Sequence, residues 1–199
     1  MIAAGETWRA TLPSEGALWL SGLVTPWWIA GGWSLDLFVG HQSRSHQDLD
    51  IGILRRDVVE VLSALPSWEF LEAKDGELTP LGAGKAPRLV VNSLWGRPRD
   101  ATHWVLELML DECRDEQWVF RRDTRIQRPL SIAIQRNPEG IPYLAPEIQL
   151  LYKARNTRAQ DQRDFDHAAP RLSSSARSWL RESLTKLDPS HGWLGALCK

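Results

Sequence analysis

Trp27-Trp28-Ile29-Ala30-Gly31-Gly32-Trp33-Ser34-Leu35-Asp36, followed after a polar stretch by Arg44-Ser45-His46-Gln47-Asp48-Leu49-Asp50-Ile51-Gly52-Ile53-Leu54, decides the fold. The run Trp27-Trp28-Ile29-Ala30 is short, apolar and bounded by Pro26 and Gly31, the pattern of a buried strand. Trp33, Leu37 and Phe38 then share one helical face between Gly32 and Gly40, so a short helix is predicted. Residues 48–54 alternate acidic or small side chains with aliphatic ones, which predicts a half-buried strand with both acids on one face.

Carboxylates at i and i+2 on a strand have Cα atoms about 6–7 Å apart, and a magnesium ion fits between their tips. Magnesium takes oxygen ligands and usually combines one or two carboxylates with substrate phosphate oxygens. Gly31-Gly32 falls at a strand-to-helix turn, where missing side chains let backbone N–H groups approach an anion beside the positive end of a helix dipole. A glycine pair alone is commonly a tight turn, and an Asp-x-Asp pair alone is commonly a solvated strand face. In this order and within residues 27–54, they point to a site for a magnesium–nucleoside triphosphate complex.

Working outward, residues 14–23 read as a first helix and residues 56–65 as an amphipathic helix stopped by Pro66. Residues 68–71, 78–81, 88–94 and 103–110 read as short strands, with further strands at 118–120 and 131–135, the last closing at the turn Asn137-Pro138-Glu139-Gly140. Composition changes at Pro142-Tyr143-Leu144-Ala145-Pro146, after which helices are predicted at 147–155, 161–169 and 173–187. The expectation is an α+β fold, a mixed sheet flanked by helices over residues 1–145, followed by a small helical segment over 146–199. No internal repeat or low-complexity tract interrupts it.

Bulk composition narrows the partners. The 199 residues carry 24 Lys and Arg against 25 Asp and Glu, a net charge of -1, so no excess of positive charge marks a nucleic-acid or membrane-surface binder. The local basic patch of Arg121, Arg122 and Arg125 reads as structural. Cys113 and Cys198 are too few for a disulfide framework or a zinc cluster, which suits a reducing compartment. No charged-then-apolar leader opens the sequence and no apolar run approaches the roughly 20 residues a bilayer helix needs, so a soluble cytoplasmic protein with a small-molecule partner is expected.

Gly31-Gly32-Trp33-Ser34-Leu35-Asp36 with Arg44-x-His46-x-Asp48-Leu49-Asp50 resembles the nucleotidyltransferase superfamily, in particular its aminoglycoside 2''-adenylyltransferase and lincosamide nucleotidyltransferase branch. A looser likeness continues through Tyr143-Leu144-Ala145-Pro146-Glu147 and Leu150-Leu151-Tyr152-Lys153. The resemblance implies the nucleotidyltransferase fold and transfer of a nucleoside monophosphate, typically AMP from ATP, to the hydroxyl of a small acceptor such as an antibiotic. It also implies three carboxylates around magnesium, the third often serving as base. Glu107 and Asp111 share parity on the predicted strand 103–110 and its end, and both are candidates. Glu107, mid-strand between Leu106 and Leu108, is preferred as metal ligand with Asp48 and Asp50. Family members usually carry an aspartate there.

Around that centre, Gly31, Gly32, Arg44, His46 and Lys153 are candidates for holding ATP or another nucleoside triphosphate. Arg44 and His46 precede the acidic strand, and Lys153 could reach the triphosphate as a point charge. Asp36 could contact a substrate amine or order its loop, with a helix-surface or internal hydrogen-bond role the commoner case, and the cluster Asp161, Arg163, Asp164 and Asp166 could bind a cationic acceptor but reads as the wet side of a helix. Two rivals stand beside the small-molecule enzyme: a degenerate nucleotide-binding module lacking the third acid, and a toxin- or antitoxin-type nucleotidyltransferase acting on a macromolecule.

Overall fold

The computed structural model describes residues 7–82 and 84–198. It opens with helix α1 (Pro13–Trp19), whose Glu15 carboxylate accepts the Leu12 N–H at 3.0 Å and so satisfies one of the amides a helix start leaves without an internal partner. Strand β1 (Trp27–Ile29) then turns directly into α2 (Gly31–Val39), and β2 (Asp50–Leu54) leads into α3 (Val58–Ser63). An antiparallel run follows: β3 (Trp68–Lys74), β4 (Glu77–Pro80), β5 (Ser93–Pro98) and β6 (Leu106–Arg114). Three short strands, β7 (Gln117–Val119), β8 (Gln127–Pro129) and β9 (Ile134–Arg136), are joined in part by a single helical turn, α4 (Leu130–Ala133). Strand β10 (Pro142–Leu144) and helices α5 (Pro146–Lys153), α6 (Ala159–Ala168) and α7 (Ser174–Leu187) complete the chain.

The main sheet runs β4-β3-β5-β6-β2-β1-β10-β9, with β7 and β8 added beside the far end of β6. It is mixed: β2 lies parallel to β6 and antiparallel to β1, and β1 is parallel to β10. The two-residue period of the strands divides the apolar side chains between two faces. Ile29, Ile51, Ile53, Leu106, Leu108 and Leu110 join one cluster with Leu20, Val58 and Val61. Trp28, Leu54 and Trp118 join the other, where Ile148, Leu151, Phe165 and Leu180 of α5, α6 and α7 cover the sheet. Asp50, Glu107 and Asp111 therefore all project to the side of the C-terminal helices. No helix among the described residues is long and apolar enough to cross a membrane.

Most predicted elements form, and the departures have local causes. The acidic strand begins at Asp50, not Asp48, which stays in the exposed approach loop. The strand expected at 88–94 is displaced to Ser93–Pro98, because the Arg88 backbone N–H and guanidinium both bind the buried Glu72 carboxylate and the chain turns with Val91 N–H donating to Arg88 O. The run 131–135 splits into α4 and β9. The strand read at 103–110 starts at Leu106 and extends to Arg114, past the polar residues that looked like its end.

Candidate active site

Strand order places the acids. On β2, Asp50 has Ala30 on one side, whose N–H donates to the Asp50 carbonyl at 2.8 Å, and Glu107 directly across the parallel β2/β6 pairing on the other. Burial pushes the Asp50 carboxyl well above the usual range, and the negative charges of Glu107 and Asp48 push it further. Burial likewise raises Glu107, against a hydrogen bond donated by the Ser93 hydroxyl and with the charge of Asp48 adding to the rise. Asp48, Asp50 and Glu107 thus repel one another across the β2/β6 pairing. Such mutual repulsion is relieved by a cation or by protons.

Asp111 occupies a different place. It pairs across the sheet with Leu54, accepts the Trp118 indole N–H at 3.0 Å and the Tyr152 hydroxyl at 3.0 Å, and is buried. Burial raises its pKa while those two bonds hold it down. The parity argument could not separate Glu107 from Asp111; the pairing register does, by setting Glu107 beside Asp50 and Asp111 four residues further along β6.

Gly31 and Gly32 do their work through side chains other than their own. Gly31 has φ +63°, and a Cβ added there would overlap the Asp50 carboxylate. Its N–H donates to Gln149 Oε1 at 2.9 Å, so this amide faces α5. A Cβ on Gly32 would press on the Arg44 guanidinium and on His46 Cε1 at 2.6 Å. The pair gives close approach as predicted, but in this structure to a carboxylate, a guanidinium and an imidazole. Gly31→Ala is expected to cost about 1–2 kcal/mol for the left-handed backbone and to push Asp50 out of register. A lowered Tm together with weakened magnesium–ATP binding would show both effects, and an unchanged nucleotide affinity would contradict the second.

The predicted nucleotide-binding cations are present but already paired. Arg44 Nε and Nη2 lie 3.0 and 3.2 Å from the two Asp164 oxygens. Lys153 Nζ lies 3.0 Å from Asp161 and 2.9 Å from Asp164, and Arg158 also binds Asp161 at 2.8 Å. Burial raises both acids, and the bonds from Arg158 and Lys153 to Asp161 and from Arg44 and Lys153 to Asp164 more than offset it, holding both below the usual carboxylate range. The reading of these acids as the wet side of a helix is corrected: both are buried, because α6 turns that face onto Lys153 and Arg44. His46 Nε2 donates to the Asp36 carboxylate at 2.6 Å and packs on Trp33 with centroids 4.2 Å apart, and the Ser43 hydroxyl donates to the other Asp36 oxygen at 2.5 Å. Asp36 is buried and engaged in internal hydrogen bonds to His46 and Ser43.

A cavity of 660 Å³ opens over these groups, lined among others by Gly31, Gly32, Arg44, His46, Asp48, Asp50, Asp111, Lys153 and Asp161. Its lining also includes Arg121, Arg122 and Arg155, which sequence reasoning assigned to structure or passed over. Arg121 stands 5.4 Å above the Tyr152 ring and acts electrostatically on Glu107 and Asp111. Gln149, Tyr152 and Ser93 were also missed; each contributes through a contact across the fold, and no local pattern marks it. No three His, Cys, Asp or Glu side chains among the described residues already form a metal cage. The donor set that fits magnesium is therefore the mutually repelling carboxylates of Asp48 and Asp50 completed by phosphate oxygens.

A mixed sheet carrying these acids beside a glycine turn, with helices closing one face, is the nucleotidyltransferase fold. Residues 18–80 match the model of the family described as Aminoglycoside-2''-adenylyltransferase, which bears out the resemblance seen in the sequence. The chain is similar in structure to the lincosamide antibiotic adenylyltransferase LnuA solved with lincomycin bound, at TM-score 0.57 and 15% identity over 81% of this chain and 98% of that one. It is similar also to antibiotic-resistance factor ANT(2'')-Ia, at TM-score 0.57 and 14% identity over 89% and 92%. An antigenic nucleotidyltransferase-like protein from Paracoccidioides brasiliensis matches at TM-score 0.51 and 17% identity over 96% and 93%. At these identities the structures speak for the fold. No curated protein matches the sequence.

Proposed function

We propose that the protein is a magnesium-dependent nucleotidyltransferase that moves a nucleoside monophosphate, AMP from ATP, onto the hydroxyl of a small acceptor. The observation that carries this reading is the register Asp50↔Glu107, which sets two mutually repelling carboxylates on neighbouring strands beneath a 660 Å³ cavity that Asp48 and Asp50 line. Asp48 and Asp50 would hold the metal, which supplies charge neutralisation on the triphosphate and alignment of attacking and leaving oxygens. Glu107, raised by burial, is suited to take the proton of the acceptor hydroxyl as its oxygen bonds to the α-phosphorus and the bond to pyrophosphate breaks. Ser93 orients that carboxylate. Asp111 serves the fold instead, by fixing Trp118 and Tyr152.

Among the similar structures, LnuA is bound to lincomycin and ANT(2'')-Ia to adenylyl-2''-tobramycin, which supports a small hydroxylated molecule as the acceptor class. The test is single-turnover release of pyrophosphate from magnesium–ATP over a panel of hydroxylated acceptors, with Glu107→Gln lowering the rate about a hundredfold or more and Asp111→Asn acting mainly on stability. The rival, a nucleotide-binding module without turnover, draws on the absence of a ready-made three-carboxylate cage among the described residues. Tight magnesium–ATP binding with no turnover on any acceptor, unaffected by Glu107→Gln, would decide for it. Labelling of a macromolecule from radioactive ATP in lysate would instead indicate an acceptor of that class.

A further inference from the structure

Charge inside the cavity is unevenly committed. Arg44, Lys153 and Arg158 are each held by Asp161 or Asp164. Arg121, Arg122 and Arg155 line the same cavity and form no ion pair among the described residues. Two of these guanidiniums share one support: Arg121 lies 5.4 Å and Arg122 5.5 Å from the Tyr152 ring centroid, and Arg122 Nη1 donates to the Tyr152 carbonyl at 3.2 Å. The ring itself is locked, its hydroxyl donating to Asp111 and its edge and face packed against Trp118 and Phe120. Arg155 follows three residues later, just past the C-terminus of α5. Burial lowers the Arg122 pKa, and the neighbouring charges of Arg121 and Arg155 lower it further. Three like charges gathered on a rigid aromatic platform, with Asp111 and Glu107 acting on Arg121 only from beyond ion-pair distance, make a receptor for an anion, and the planar forks of arginine match phosphate oxygens.

We propose that Arg121 and Arg122, seated on the Tyr152–Asp111 platform, and Arg155 beside them form an oxyanion site for a phosphate-type group in the wall of the same cavity. The inference rests on the nucleotidyltransferase reading for its setting, but the site stands on its own charges. The anion has two sources: the terminal phosphates of the nucleoside triphosphate, later the leaving pyrophosphate, or an anionic group on the acceptor.

Calorimetric titration of the full chain with inorganic pyrophosphate in the presence of a chelator tests the site without the metal. Wild type is expected to bind with an affinity that falls as salt rises, and the Arg121→Gln, Arg122→Gln, Arg155→Gln triple variant to bind at least about tenfold more weakly. A control triple at exposed positions, Arg99→Gln, Arg114→Gln and Arg181→Gln, removes the same charge and should keep the affinity. Equal losses in both triples, or none in the first, overturn the site. Should the first triple fail to fold, Arg155→Gln alone, at an exposed position, is expected to lose about threefold or more, and no loss there overturns it as well. Metal-free ATP and AMP then assign the source. A loss for ATP with none for AMP makes the anion the triphosphate tail, while a loss for pyrophosphate alone, with ATP unchanged, makes it a group on the acceptor; both support the site. Failure of Asp48→Asn to affect nucleotide transfer would refute the magnesium reading while leaving the pyrophosphate result intact.

Discussion

Asp48→Asn and Asp50→Asn should each lower magnesium-dependent nucleotide transfer by at least about a thousandfold, because a bound divalent cation contributes several kcal/mol of charge stabilisation and each tenfold in rate is worth about 1.4 kcal/mol. The fold should survive. Asp50 lies at the start of β2, where its backbone carbonyl accepts the Ala30 N–H and the side chain is held against Gly31, so the isosteric amide keeps the shape and removes a repelled charge. With burial and the charges of Glu107 and Asp48 all disfavouring its ionised form, the Asp50→Asn chain should melt at the wild-type temperature or above it in metal-free buffer. Loss of activity without loss of Tm is the signature. Retention of magnesium–ATP binding in both variants would remove the basis of the transferase reading.

Lys153→Met is expected to act on stability first. Lys153 is 8% exposed and sits between Asp161 and Asp164, themselves 4% and 5% exposed, so its removal leaves two buried carboxylates short of one partner each. Breaking a buried pair costs about 3–5 kcal/mol when nothing else compensates. Arg158 on Asp161 and Arg44 on Asp164 supply partial compensation, which places the expected loss near the lower end, about 3 kcal/mol. Denaturant unfolding measures it. A loss below about 1 kcal/mol would mean that the arginines suffice.

The acid limb follows from the same network. Asp161 and Asp164 have folded pKa values below their unfolded ones, so their stabilisation is fully present above the ordinary carboxylate range and is lost only as pH falls through the depressed values. Replacing Lys153 should bring the acid transition to higher pH. Because the same lysine lines the cavity proposed to take the nucleotide, its variant also tests whether a triphosphate draws it away from α6.

The sequence by itself determined the strand, glycine turn, helix and acidic strand of residues 27–54, because apolar periodicity and the steric freedom of glycine are local properties. It also brought out both candidates for the third acid, since side-chain parity on a strand is local too. Local pattern was weaker where contacts distant in sequence compete with it: Glu72 captured Arg88 and moved β5, and α6 buried Asp161 and Asp164, which composition alone presents as solvent-facing. Only the tertiary structure set Glu107 beside Asp50 and tied Asp111 to Trp118 and Tyr152, because the β2/β6 register is a pairing between segments more than fifty residues apart. Charge commitment has the same origin. Which cation in the cavity is paired and which is left to meet an anion depends on helices folding back over the sheet, and that closure is written in no single stretch of the chain.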